Sequence, residues 1–212
     1  MYIPEHYNDS TPEEAKDFIK KNGFGILVST KGGKPLATHI PMELYKNEAG
    51  EDVLIGHVAR ANEQWKTFEE NEEVLAIFHG PHAYISSTWY TELNVPTWNY
   101  IAVHIYGTIK IITGDALYKA LKQLIHTYET LTETHLKIED IPKPVMREDM
   151  PGIVGFEIAI KEIKAAFKLS QSRDDESYRN IVRQLENSEN QREREMASAM
   201  KSRRKEAFSN EK

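Results

Sequence analysis

The sequence contains no cysteine, which excludes disulfide frameworks, thiolate metal sites and cysteine nucleophiles. No apolar run approaches the ~20 residues that a membrane-spanning helix needs. The opening segment, MYIPEHYNDSTPEE, lacks the charged-then-apolar pattern of a secretory signal. Together these absences give the expectation of a cytoplasmic protein with no membrane contact. There is no glycine-rich phosphate loop, dinucleotide fingerprint or serine nucleophile elbow. Gly23-Phe24-Gly25 lacks a third glycine and opens a strand. Catalysis through a nucleophile of the protein's own therefore has no support. All 11 glycines and all nine prolines lie before residue 156. The last 57 residues lack both, so that stretch can run as helix, or as one strand followed by helix.

Arginine is also scarce where it would be most expected. The first 146 residues hold a single one, Arg60, whereas seven of the nine lie at or after Arg173. The 212-residue chain carries a net charge of −6, and residues 168–212 alone carry +2. A surface coated in basic groups for non-specific nucleic-acid binding is excluded, although a local basic patch is not. Length and composition suit one soluble domain with an appendage.

Periodicity supplies the elements. Thr11-Pro12-Glu13-Glu14 is a capping box with proline at the first helical position, and its helix should stop at Gly23. FGILVST reads as a buried strand, Lys31-Gly32-Gly33-Lys34 as a hairpin turn, and PLATHIPMELY and VLIGHV as the next two strands. A short helix is expected between Ala61 and Asn71, with Trp65 and Phe68 three apart. EVLAIFHG and HAYIS read as separate strands divided by Gly80-Pro81, and Thr97–Ile112 as the longest strand, bulky on both faces. Asp115–Tyr128 forms an amphipathic helix with Leu117, Leu121, Leu124 and Ile125 on one stripe. Residues 131–151 read as loop and GFEIAIKEIKAAFKL as a last strand. DDESYRNIVRQLEN is a helix using Tyr178, Ile181, Val182 and Leu185. The remaining ENQREREMASAMKSRRKEAF is helix-prone but nearly without an apolar face. The expected class is α+β, mainly β with peripheral helices, built on a closed or partly open barrel.

GHVARANEQW places Arg60, Asn62, Gln64 and Trp65 where a strand gives way to a helix. Helix N-termini offer unpaired N–H groups, and a guanidinium fork suits phosphate oxygens, so the segment is a candidate anion site. An ion pair between Arg60 and a carboxylate such as Glu63 is the alternative. HGPHAYISSTWY and VPTWNY concentrate aromatics that would suit a flat heterocycle, although large aromatics more often form barrel core or dimer interface. The eight histidines, His39 and His57 among them, lack three or four converging ligands, so structural roles or cofactor contacts are expected and no metal. KLSQSR, with Lys168, either closes over an anion or forms a solvated turn. Lys201, Arg203, Arg204 and Lys205 form a basic cluster, read as a solvated helical face or as a contact to a phosphate backbone.

MYIPEHY, THIPM, GHVARANEQW, IFHGPHAYISSTWY, VPTWNYIAVHIYG and KLSQSR, in this order across residues 1–187, resemble the PaiB family. These are FMN-binding negative transcriptional regulators of protease synthesis and sporulation; the family usually reads KLSQN where this chain has Ser172. The resemblance implies a split β-barrel of the FMN-binding type over residues 1–172, with a helical C-terminal extension over 173–212. It also implies a homodimer with FMN near the interface, and binding of promoter DNA. By the same resemblance Arg60, Asn62 and Gln64 would hold the flavin phosphate, and His39 and Pro41 would lie along the ribityl chain and ring. Trp89, Tyr90, Trp98 and Tyr100 would come from the facing protomer. An FMN-dependent oxidoreductase or a haem-degrading enzyme of the same fold is the alternative. No helix-turn-helix is evident; the two C-terminal segments imitate one without its turn glycine.

Overall fold

The computed structural model describes residues 1–7, 10–68 and 73–208. Six antiparallel strands carry the fold: β1 (Phe24–Lys31), β2 (Lys34–Lys46), β3 (Asp52–Ala59), β4 (Glu73–Ile85), β5 (Thr97–Ile112) and β6 (Ile153–Lys168). They hydrogen-bond in the order β1-β2-β3-β6-β5-β4, and β4 pairs back with β1 to close the sheet. Five helices accompany them: α1 (Pro12–Lys21), α2 (Gly114–Glu129), α3 (Lys143–Asp149), α4 (Asp175–Glu186) and α5 (Gln191–Arg203). Among the described residues no helix is long and apolar enough to cross a membrane.

Local chemistry fixes much of this. The Thr11 hydroxyl accepts from the Glu14 N–H at 3.2 Å while the Glu14 carboxylate accepts from the Thr11 N–H at 2.8 Å, a complete capping box at the start of α1. Gly32 and Gly33 turn the β1–β2 hairpin at φ +56° and +80°, values that two successive L-residues adopt only at a cost. Gly56 is required for closeness instead: a Cβ there would meet the Phe156 ring at 2.7 Å. Leu27, Met42, Leu54, Phe78, Ile105 and Ile158, one from each strand, are fully buried.

The structure corrects four readings. β4 is one strand, not two. Its buried residues are even-numbered up to Phe78 and odd-numbered at Ala83 and Ile85, so Gly80-Pro81 shifts the alternation by one, as a bulge does, without ending the strand. Residues 131–151 contain α3, because Pro142 and Pro144 sit at its start, where a missing N–H goes unneeded. The helix expected between Ala61 and Asn71 is a short 3-10 helix, Glu63–Thr67; residues 69–71 lie outside the described ones. Finally, α5 does have an apolar face: Met196, Ala197 and Met200 are fully buried. Two methionines four apart share one helical face and suffice to dock α5 on α4.

The chain forms two compact units. One comprises the described residues of 1–15, 79–103 and 164–212, and so takes in the C-terminal helices. The other comprises those of 16–78 and 104–163, with β1, β2, β3 and α2 whole.

Candidate functional site

In the second unit, the segment after β3 is pinned to the chain entering β6. The Arg60 N–H donates to the Gly152 carbonyl at 2.7 Å, its Nε to Pro151 at 2.6 Å and its Nη2 to Ile153 at 3.0 Å. Trp65 Nε1 donates to the Arg60 carbonyl at 2.9 Å, and the guanidinium lies 5.7 Å from the Trp65 ring centroid. Glu63 is not the partner of Arg60; it pairs with Lys66 at 2.6 Å. Two of the three guanidinium nitrogens are thus held by carbonyls, and Nη1 has no partner among the described residues. The expected open helix N-terminus is not there. The 3-10 helix spans only five residues, and the Asn62 side chain already accepts from the Gln64 N–H at 3.0 Å.

Gln64 turns inward rather than toward a ligand. It is 2% exposed, and its Nε2 donates to the Leu27 carbonyl, the Ser29 hydroxyl and the Leu36 carbonyl at 3.0–3.3 Å. Its Oε1 accepts from Thr38, which in turn accepts from Asn62 Nδ2 at 2.8 Å. Ser29 and Thr67 share a hydrogen bond of 2.8 Å. Asn62 and Gln64 therefore fasten the strand-to-helix corner to β1 and β2 and fix where Arg60 sits.

The outward face of β1 is apolar, and so are its neighbours. Cross-strand rows run Phe24–Pro41, then Ile77–Ile26–His39, then Leu75–Val28–Ala37. Phe24 is 61% exposed, His39 is exposed and Pro41 half-buried. The strand read as uniformly buried in fact alternates, with Leu27 and Ser29 inward and Ile26 and Val28 outward. Sequence reasoning missed Phe24, Ile26 and Ile77 for that reason. His57 is half-buried on β3, and burial lowers its pKa and favours the neutral imidazole.

In the first unit, Lys168 donates to the Thr97 hydroxyl at 2.6 Å and lies 5.7 Å from the Tyr7 ring centroid. Burial lowers its pKa too. KLSQSR is neither open nor fully solvated: Ser170, at φ 62°, is buried and shares hydrogen bonds of 2.9 and 3.1 Å with the Asn99 amide. Arg173 stacks over Tyr90, 4.1 Å from its centroid, and the buried Tyr90 hydroxyl has no hydrogen-bond partner among the described residues. Trp98, 54% exposed, stands 6.1 Å from His82 and 5.9 Å from Tyr84, centroid to centroid. Trp89 and Tyr100 are half-buried. Tyr7 and Thr97 were not anticipated, their signal being only proximity in the fold, whereas Arg173 is the second cation of KLSQSR.

The basic cluster is not a free solvated face. Arg203 pairs with Glu14 at 2.6 Å, and Arg204 pairs with Asp175 at 2.6 Å and donates to the Arg173 carbonyl at 2.7 Å. Lys201, exposed, pairs with Glu186 at 2.8 Å, and Lys205 is exposed. Arg203 and Arg204 are half-buried, Arg203 on the α5 face that carries Met196 and Met200, whereas Lys201 and Lys205 stay exposed. Among the described residues no three His, Asp or Glu side chains converge as metal ligands.

Comparison with known proteins decides the family. Residues 1–162 match the family described as "Putative FMN-binding domain". The chain belongs to that family. It is 42% identical over 200 residues to the protease synthase and sporulation protein PAI 2 of Bacillus subtilis, covering 94% of this chain and 96% of that one. Among solved structures it resembles an FAD- and haem-binding protein from Mycobacterium smegmatis, with a TM-score of 0.60 at 15% identity over 80% of this chain and 77% of that one. It also resembles the flavocytochrome Anf3 of Azotobacter vinelandii, with a TM-score of 0.57 at 12% identity over 74% and 67%. Those likenesses give the fold, a flavin-type split barrel. The family's cofactor is FMN, and the residues present suit it. Arg60 is a cation held rigid with one nitrogen left over, as a phosphate requires. The Phe24–Ile26–Ile77 face and Trp98 are exposed flat apolar surfaces, as a fused ring system requires.

Proposed function

We propose that this protein is an FMN-holding negative regulator of protease-synthesis and sporulation genes, acting as a homodimer on promoter DNA in the cytoplasm. The observation that carries the reading is the 42% identity to PAI 2 across nearly the full length of both chains. Arg60 Nη1 contacts the phosphate, with Asn62, Gln64 and Trp65 positioning it. His39 and Pro41 line the ring and ribityl chain, with His57 nearby on β3. The apolar outward face of β1, β2 and β4 supports dimerisation, because a surface with Phe24 so exposed is stabilised by covering it. Trp89, Tyr90, Trp98, Tyr100 and Lys168 complete the pocket from the second copy. FMN supplies a redox-active ring to such a site; the chain's own residues bind it, orient it and exclude water.

Promoter contact falls to Lys201 and Lys205, the exposed members of the basic cluster, while Arg203 and Arg204 hold the extension in place. The deciding experiment is a gel-shift titration of promoter DNA at several salt concentrations, with and without FMN. A specific, salt-steep shift supports the reading. Its absence at every salt concentration, together with steady NAD(P)H turnover by the flavin-loaded protein, supports an oxidoreductase instead.

A further inference from the structure

The corner that carries Arg60 is tied to its unit on two sides. On one side the Arg60 guanidinium and N–H hold the carbonyls of residues 151–153. On the other the tie runs through the Thr38 hydroxyl, which donates to Gln64 Oε1 and accepts from Asn62 Nδ2 at 2.8 Å. The Gln64 amide has further partners on β1 and β2. Asn62 does not. Its Oδ1 accepts from the Gln64 N–H at 3.0 Å and its own N–H donates to the Ala59 carbonyl at 2.9 Å, both within the corner. Among the described residues, Thr38 is therefore the one group outside the corner that Asn62 bonds, and Asn62 stands two positions from Arg60.

The placement of Thr38 gives that bond a further consequence. Successive residues of a strand face opposite sides, so Thr38 points to the corner while His39 and Pro41 stand on the outward face of β2. Met42 pairs with Gly56, and from there β2 runs back to His39 as β3 runs on to Ala59. His39 and Arg60 thus share one end of the strand pair. A hydroxyl that donates one bond and accepts another holds both partners at hydrogen-bond distance. Thr38 in this way fixes the cation at the end of β3 against the strand face beside it.

We propose that Thr38 is a positioning residue that sets the spacing between Arg60 and the His39–Pro41 face, and with it the preference of the site for a flavin carrying a phosphate. The inference rests on the phosphate lying at Arg60, as proposed above. Thr38 itself touches no part of the ligand. Without its hydroxyl the Asn62 amide loses its anchor on β2, and the corner shifts against that strand. The ring still lies on the same face, but Nη1 no longer meets the phosphate, because such contacts tolerate only small displacements of the supporting groups.

The test titrates FMN and riboflavin into the full chain and into Thr38→Val, Thr38→Ser and Arg60→Ala, following flavin fluorescence, with Tm measured alongside. Thr38→Val keeps the shape and removes the hydroxyl; Thr38→Ala removes the same group and serves if the valine variant does not fold. The expected result is FMN binding about tenfold weaker, the equivalent of one charge-assisted bond lost, with riboflavin affinity unchanged. Thr38→Ser, which retains the hydroxyl, should restore FMN affinity. Equal losses for both flavins, an unchanged FMN affinity without the hydroxyl, or no rescue by serine would each overturn the proposal. If Arg60→Ala weakens FMN alone while Thr38→Val weakens neither flavin, the phosphate contact stands and only the role of Thr38 falls. If Arg60→Ala affects both flavins alike, both fall together.

Discussion

Arg60→Ala separates two roles that one side chain performs. In the protein Nε and Nη2 hold the carbonyls of Pro151 and Ile153, which leaves one edge of the guanidinium for a phosphate. Each carbonyl bond is exposed and contributes modestly, so their joint loss should lower stability by about 1 kcal/mol. For a chain of this size that is roughly 2–4 °C in Tm. The remaining edge makes a charge-assisted contact with a phosphate dianion, about 1.5–3 kcal/mol. Its removal should weaken FMN roughly 10–150-fold. Riboflavin has no phosphate, so its affinity should change little with the same substitution. Arg60→Lys keeps the charge but not the fork, and should restore part of the FMN affinity without restoring the carbonyl bonds. Flavin fluorescence titrations of parent and both variants, with Tm measured alongside, give all the quantities. Equal losses for FMN and riboflavin would refute the phosphate contact and leave Arg60 a structural residue alone.

Three further outcomes are expected. Gln64→Leu preserves volume but removes the buried amide that bonds Thr38, Ser29 and the Leu27 and Leu36 carbonyls, so denaturant unfolding should show a loss of about 2–4 kcal/mol; a loss below about 1 kcal/mol, the order of one exposed hydrogen bond, would mean water replaces the amide. Burial raises the pKa of Glu43 from its usual 4.5 despite hydrogen bonds from Thr127 and Tyr128. The folded state then holds the proton more tightly than the unfolded one, so this contribution is full at pH below the unfolded value and is lost as pH rises through the folded one. Glu43→Gln should therefore raise Tm at neutral pH, with the gain vanishing in acid; a pH-independent loss would contradict the burial argument. Deleting residues 188–212 uncovers Tyr178 and the α4 face by removing Met196 and Met200, and takes away the Met200 carbonyl that accepts from the Tyr178 hydroxyl at 2.8 Å. Two buried methionines correspond to about 3–6 kcal/mol, so the truncated chain should melt well below the parent, and an unchanged Tm would show that α5 is an ornament.

Several elements were legible because their signals are local. The capping box at Thr11 and Glu14, the Gly32-Gly33 hairpin, the bounds of β5 and the apolar stripe of α4 each depend on residues within a few positions of one another. The motifs GHVARANEQW and KLSQSR marked segments that the fold ties down through polar contacts. Their roles were less visible. Gln64 carried the signature of a ligand donor and proved to be an interior tie between β1 and β2. The basic run at 201–205 looked solvated, yet Arg203 reaches Glu14 across the sequence.

What the sequence determined by itself was most of the strands and helices, with α3 and the continuity of β4 as exceptions, the barrel class and, through its long motifs, the family. What the tertiary structure decided was which polar groups remain available. Arg60 meets carbonyls more than 90 positions away, Phe24 and Ile26 face outward beside Ile77, and the Glu139 and Asp140 carboxylates are engaged by Lys122 and by the Lys137 N–H. Periodicity reports which side of an element is apolar. It does not report what that side meets, because a hydrogen bond or ion pair is satisfied by whichever group the fold brings within about 3 Å, however distant it is along the chain.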